Sequence, residues 1–166
     1  NIIDFINNYK GSGDAFVIKC DNDGNIVWQI GIGTEEDDDT LNGILNMGNN
    51  KYAVLHRIYD YNSRRYTSNI ITFDANGKVT SNKSLSSVGY VEQMLKANDD
   101  GYIVLYADNA DNKFIAKIDE DCKIVRKKQI FNVMDFSLGI LISLPSGYVV
   151  EGGLTNRTLD NYDDGY

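Results

Sequence analysis

Phe16-Val17-Ile18-Lys19-Cys20-Asp21-Asn22-Asp23-Gly24-Asn25-Ile26-Val27-Trp28 reads as an apolar run, an Asp, two small polar residues, a Gly and a second strand-forming run. That order predicts a strand, a tight turn and a returning strand. The stretch is written twice more with drift, as Ile70-Ile71-Thr72-Phe73-Asp74-Ala75-Asn76-Gly77-Lys78-Val79 and as Phe114-Ile115-Ala116-Lys117-Ile118-Asp119-Glu120-Asp121-Cys122-Lys123-Ile124-Val125. In the third copy Cys122 stands where the others have Gly. The chain is therefore read as a repeat protein built of hairpins.

A second marker recurs in step with the first. Gly101-Tyr102-Ile103-Val104 and Gly147-Tyr148-Val149-Val150 share a turn, a leading Tyr and a β-branched run, and Lys51-Tyr52-Ala53-Val54 follows the turn Gly48-Asn49-Asn50 in the same way. The two markers agree on a unit of about 45 to 50 residues, a period of propellers and solenoids. One full unit holds four predicted strands: Leu41 to Asn46, Lys51 to Tyr59, Tyr66 to Phe73 and Lys78 to Leu85. The next runs from Tyr90 to Ile130, and a third starts at Phe136 and stops within Asn161 to Tyr166. Helical repeats fail, because no window keeps apolar residues at i, i+3, i+4 and i+7 against the β-branched runs. The expectation is an all-β fold, a β-propeller-like array of four-stranded antiparallel blades with about three units, incomplete at both ends. A β-sandwich uses the same local pattern and stays open as the alternative.

At 166 residues, 42% hydrophobic, with a net charge of −8, a pI near 4.5 and a mean hydropathy of −0.34, the chain reads as a soluble single domain over 1–166. Phosphate binding relies on clustered Lys and Arg, so the acidic balance argues against nucleic acid. The one basic cluster, Arg126-Lys127-Lys128, reads as the solvated face of a strand. No apolar run approaches the roughly 20 residues a membrane helix needs. The start at Asn1 without a leader predicts either a mature secreted product or a segment of a larger protein. Cys20 and Cys122 fall at different repeat positions, which predicts two free thiols.

The candidate chemistry is sparse. Asp21-Asn22-Asp23-Gly24 has the look of a calcium loop, but its Gly comes too early and it serves as a hairpin turn without metal. Glu35-Glu36-Asp37-Asp38-Asp39 is expected to be a solvated loop, since consecutive acids repel and cannot all face one ion. His56 is the single histidine and reads as structural, with no second ligand at metal spacing. No cofactor, metal or catalytic residue is expected. Tyr52, Tyr102 and Tyr148 share one repeat position and are expected to pack between blades. Tyr59, Tyr61 and Tyr66 flank the longest loop within a blade, which carries Arg64 and Arg65. Aromatic and Arg enrichment marks contact surfaces, so these five residues are the candidate ligand-binding set.

Gly13-Asp14-Ala15-Phe16-Val17-Ile18-Lys19 with Asp23-Gly24-Asn25-Ile26-Val27-Trp28, and later Asp99-Asp100-Gly101-Tyr102-Ile103-Val104, resemble the β-propeller repeats of bacterial and archaeal secreted and cell-surface proteins. The resemblance covers nearly the whole chain, implies an extracellular or cell-surface location and carries no catalytic residues with it. Trp28 has no aromatic counterpart at Thr80 or Arg126, and Cys122 departs from the turn Gly. The half-units at the two ends would join into a third blade, below the usual four to eight. A segment of a longer array is therefore expected, with open sheet edges suited to homodimer pairing. The resulting expectation is a non-enzymatic interaction or scaffold module binding protein or glycan through blade loops. The alternative is a carbohydrate-active propeller enzyme using paired carboxylates, although no spacing singles out two acids.

Overall fold

Each organising hairpin is closed by its Asp. In the computed structural model Asp21 Oδ1 accepts the backbone N–H groups of Asp23 (2.9 Å) and Asn25 (2.8 Å). Asp74 does the same for Asn76 and Lys78, and Asp119 for Asp121 and Lys123. A short carboxylate that satisfies two turn amides fixes the chain reversal without help from the strands. Cys122 keeps the turn of the third copy by adopting φ 62°, where Gly24 and Gly77 have 84° and 79°. Its N–H reaches the Asp119 carbonyl at 3.0 Å, as Gly77 reaches Asp74 at 3.2 Å.

The structure describes residues 13–35, 37–108, 110, 112–131 and 136–154. Twelve strands follow in chain order: β1 (Ala15–Cys20), β2 (Ile26–Ile32), β3 (Asp38–Gly48), β4 (Lys51–Asp60), β5 (Arg65–Phe73), β6 (Val79–Ser84), β7 (Tyr90–Lys96), β8 (Tyr102–Ala107), β9 (Lys113–Ile118), β10 (Ile124–Phe131), β11 (Phe136–Leu144) and β12 (Gly147–Leu154). They form four antiparallel sheets, β1-β2, β3-β4-β5-β6, β7-β8-β9-β10 and β11-β12. No described residue is helical. The two four-stranded meanders are the two complete units read from the period, so the fold is all-β with propeller-like blades. The strand suggested near Ile2 and the hairpin approach near Asn161 lie outside the described residues.

The first strands β3 and β7 lie side by side, and β7 also borders β11. The sheets therefore fan out from their first strands, as blades do around a centre. In the two four-stranded sheets the second strand is buried on both faces, over 53–56 of β4 and over all six residues of β8. Alternation along β4 sends its side chains into two different seams. Val54 packs with Val17, Ile32, Ile71 and Phe73 toward β1-β2, and Trp28 stacks on Phe73 with ring centroids 6.4 Å apart. Ala53 and Leu55 pack with Val91, Val104 and Tyr102 toward the third sheet. A further seam joins Ile103, Leu105 and Leu141.

One boundary moved. The acidic stretch was expected to remain a loop up to Thr40, but Asp38 and Asp39 already belong to β3, paired with Tyr59 and Ile58 of β4. Asp39 is 3% exposed, so it is no solvated acid.

Candidate functional site

At the end of the second sheet where β3 begins, β4 ends and β5 begins, polar side chains replace the apolar core. His56, 4% exposed, places Nε2 2.6 Å from Asp39 Oδ1. The other Asp39 oxygen accepts Thr34 N–H at 2.6 Å and Thr34 Oγ1–H at 2.8 Å. The carboxylate is thereby fixed from two sides and holds the ring in one orientation. Nδ1 is enclosed and has no hydrogen-bond partner among the described residues. An unpaired buried polar atom is destabilising by about 1–3 kcal/mol, so its retention calls for an explanation, an ordered water or a catalytic role among them.

Arg57 leaves the opposite face of β4 and enters the seam with the third sheet. Its Nη1 donates to the Tyr90 hydroxyl, and the guanidinium stands 5.1 Å from the Tyr90 ring centroid. Tyr90 packs on Tyr66 (4.9 Å), Tyr66 on Tyr59 (4.8 Å) and Tyr59 on Tyr61 (5.1 Å). Tyr61 donates to Asp38 at the start of β3. Arg57 and Ser68 are cross-strand partners, and both Arg57 Nε and Ser68 Oγ are enclosed without a hydrogen-bond partner among the described residues. Beyond this seam Glu92 and Lys113 make a largely buried ion pair at 2.6 Å, and Asn42 donates to the Glu92 carbonyl. The end of the blades thus carries a dyad on one face and an Arg within a run of four aromatic rings on the other.

Of the five residues singled out by sequence, the structure brings Tyr59, Tyr61 and Tyr66 into one aromatic run. Arg64 and Arg65 are exposed in and beside the β4–β5 turn, where Arg64 has φ 55°. Sequence reasoning missed the neighbours that complete the cluster, Arg57, Ser68 and Tyr90, and it took His56 as structural without seeing Asp39. A signal existed in the repeat itself. Four residues after Tyr52 stands His56, while the same offset from Tyr102 and Tyr148 reaches Tyr106 and Gly152. In register, Asp39 corresponds to Gly89. A titratable pair that appears in only one copy is not demanded by the architecture. Within the acidic stretch the described Asp38 and Asp39 diverge, Asp38 facing Tyr61 and Asp39 facing His56. Among the described residues no three His, Cys, Asp or Glu side chains gather as metal ligands.

Comparison with known proteins adds what geometry alone does not. A family model described as Arylsulfotransferase (ASST) matches residues 1–157. No curated protein matches the chain. The match covers both complete blades and the flanking strands, and the family is one of β-propeller enzymes acting in sulfuryl transfer. The expectation of a non-enzymatic interaction or scaffold module is overturned by this match. It failed because the hairpin repeat that carried it specifies the architecture and is silent on activity. The enzymatic alternative is favoured, with sulfuryl transfer rather than glycoside cleavage as the family's chemistry.

Proposed function

Because the chain belongs to the arylsulfotransferase family, we propose that it serves sulfuryl transfer from an aryl sulfate ester to a hydroxyl acceptor, with the His56–Asp39 pair as its reactive group. The family match supports the reaction class, and the unpartnered His56 Nδ1 supports the residue. Transfer needs the acceptor oxygen to lose its proton and the donor oxygen to leave as an aryloxide. With Nε2–H held by the Asp39 carboxylate, Nδ1 keeps its lone pair and is the atom that takes the acceptor proton. Asp39 offsets the positive charge that develops on the ring, as an orienting carboxylate does in other histidine-based sites. The rings of Tyr59, Tyr61 and Tyr66, with Arg64 and Arg65 beside them, stand at the same end of the blades but across the sheet from His56, so they are a separate surface suited to an aromatic ligand rather than the seat of the reacting ester. The likeness to secreted and cell-surface propellers supports a place outside the cytoplasm.

The test is transfer from 4-nitrophenyl sulfate to phenol, followed by release of 4-nitrophenolate. His56→Gln is expected to lower the rate by roughly 10²-fold or more, and Asp39→Asn to lower it in the same direction while thermal unfolding stays cooperative. A folded His56→Gln variant with unchanged transfer would remove His56 from the reaction. Absence of transfer by the unaltered chain would remove the activity.

A further inference from the structure

Between the third sheet and the β11-β12 sheet lies a cleft of about 190 Å³, well away from His56. Its apolar wall is made by Ile103, Ile115, Ala116 and Tyr148, and its remaining side is cationic, lined by Lys117, Arg126, Lys127 and Lys128. In a chain of net charge −8 a cleft whose described lining includes no carboxylate is a local reversal of sign. Register decides which cations face it. Arg126 pairs with Lys117 and Lys128 with Ile115, and Ile115 belongs to the apolar cluster of this seam. Lys127 pairs with Ala116 and holds its ammonium over the Phe114 ring at 5.1 Å, on the other side of the sheet. Lys117 is bound to Asp99 at the margin. Arg126 and Lys128 make no close ion pair among the described residues; Arg126 shares with Lys117 the field of Asp99 at the margin, and Lys128 has no acidic neighbour in the cleft's lining.

We propose that this cleft is a binding site for a small aromatic anion, a single ring bearing a sulfonate, sulfate or carboxylate. Tyr148 and the two isoleucines take the ring, and Arg126 takes the anionic oxygens through paired N–H donors, with Lys128 adding a point charge. The volume holds a single substituted ring and little more. The Arg126-Lys127-Lys128 run is thus divided by strand alternation into two binding residues and one that is not. This inference rests on the cleft's own chemistry and stands apart from the sulfuryl-transfer reading.

The experiment titrates the chain with 4-methylbenzenesulfonate at low ionic strength and follows backbone amide NMR shifts. Saturable shifts are expected in β9, β10 and β12, weakened by added salt. Uncharged 4-methylphenol should bind far more weakly. The double variant Arg126→Gln with Lys128→Gln should weaken the sulfonate by roughly tenfold, while Lys127→Gln, an equal change of charge per residue on the same strand, should leave it within about twofold. Shifts that do not saturate, an unchanged affinity in the double variant, or an equal loss in Lys127→Gln would each overturn the proposal. The spectra report folding of every variant directly.

Discussion

At the scale of single residues, the two cysteines show how the same side chain acquires opposite properties. Cys20 is exposed and Cys122 is 4% exposed, and neither is in a disulfide. Burial pushes the Cys122 thiol above its ordinary pKa, and Lys83 opposes this only in part. Thiolate is the reactive form, so iodoacetamide at mildly alkaline pH should label Cys20 at least roughly tenfold faster than Cys122. Mass spectrometry of the labelled peptides checks this, and equal rates would contradict the packing of the third turn. That both thiols are free was legible from their unequal places in the repeat. That Cys122 adopts a left-handed backbone and fills the seam was not, because a Gly position gives no hint that a side chain there has somewhere to go. The dyad was illegible for a related reason: Asp39 and His56 meet only through the β3–β4 register, which places Leu41 opposite His56, and a charged run suggested solvent rather than a buried partner. Among the loop residues the aromatic set was legible, since Tyr59 and Tyr66 are direct cross-strand partners, whereas Tyr90 comes from a different blade.

At the scale of the element, the hairpin turns lend themselves to a matched comparison. Gly24 and Gly77 occupy the same turn position with φ 84° and 79°. A Cβ at Gly24 meets nothing within 4 Å, while one at Gly77 would lie 2.7 Å from the Trp28 indole. Gly24→Ala should therefore be destabilising by about 1 kcal/mol from backbone strain alone, and Gly77→Ala by about 2–4 kcal/mol once displaced packing is added. Urea unfolding of both variants reads the difference, and equal losses would mean that the indole moves aside freely. The turn carboxylates also set an acid limit. The side-chain amide of Asn25 and the turn N–H groups hold the Asp21 carboxyl below its ordinary 3.8, and Asn112 holds Asp108 down in the same way. A depressed acid contributes stability above its unfolded pKa and loses that contribution as pH falls through the lower folded value. Stability should be insensitive to these turns above about pH 5 and decline below pH 3.8, with the Asp21 and Asp108 carboxyl NMR signals titrating later than those of free Asp. Asn25→Ala should move the Asp21 titration back upward. The strands and turns themselves were legible, because alternation and turn chemistry are local properties. Their ends were less so: β3 extends from Asp38 to Gly48 rather than from Leu41 to Asn46.

At the scale of the whole molecule, stability rests on seams between sheets rather than on one central core. Phe73 is fully enclosed and lies where Val17, Val54 and Ile71 meet between the first two sheets. Phe73→Ala should therefore remove about 3–5 kcal/mol, read by denaturant midpoint with the slope unchanged. A loss below about 1 kcal/mol would mean that the β1-β2 sheet is not docked. The number of sheets followed from the repeat period, but which face of each strand enters which seam did not, since both faces of a middle blade are apolar and alternation no longer separates inside from outside. The same ambiguity hid the cationic cleft behind Arg126 and Lys128. Trp28 bridges the first of these seams: its indole N–H donates to the Ala75 carbonyl at 2.9 Å, in the turn of the neighbouring sheet. As the sole tryptophan of the chain, it gives the molecule a built-in optical gauge. Its emission should redden and lose intensity when the leading hairpin detaches, so undocking becomes visible as an event separate from the melting of the blades behind it.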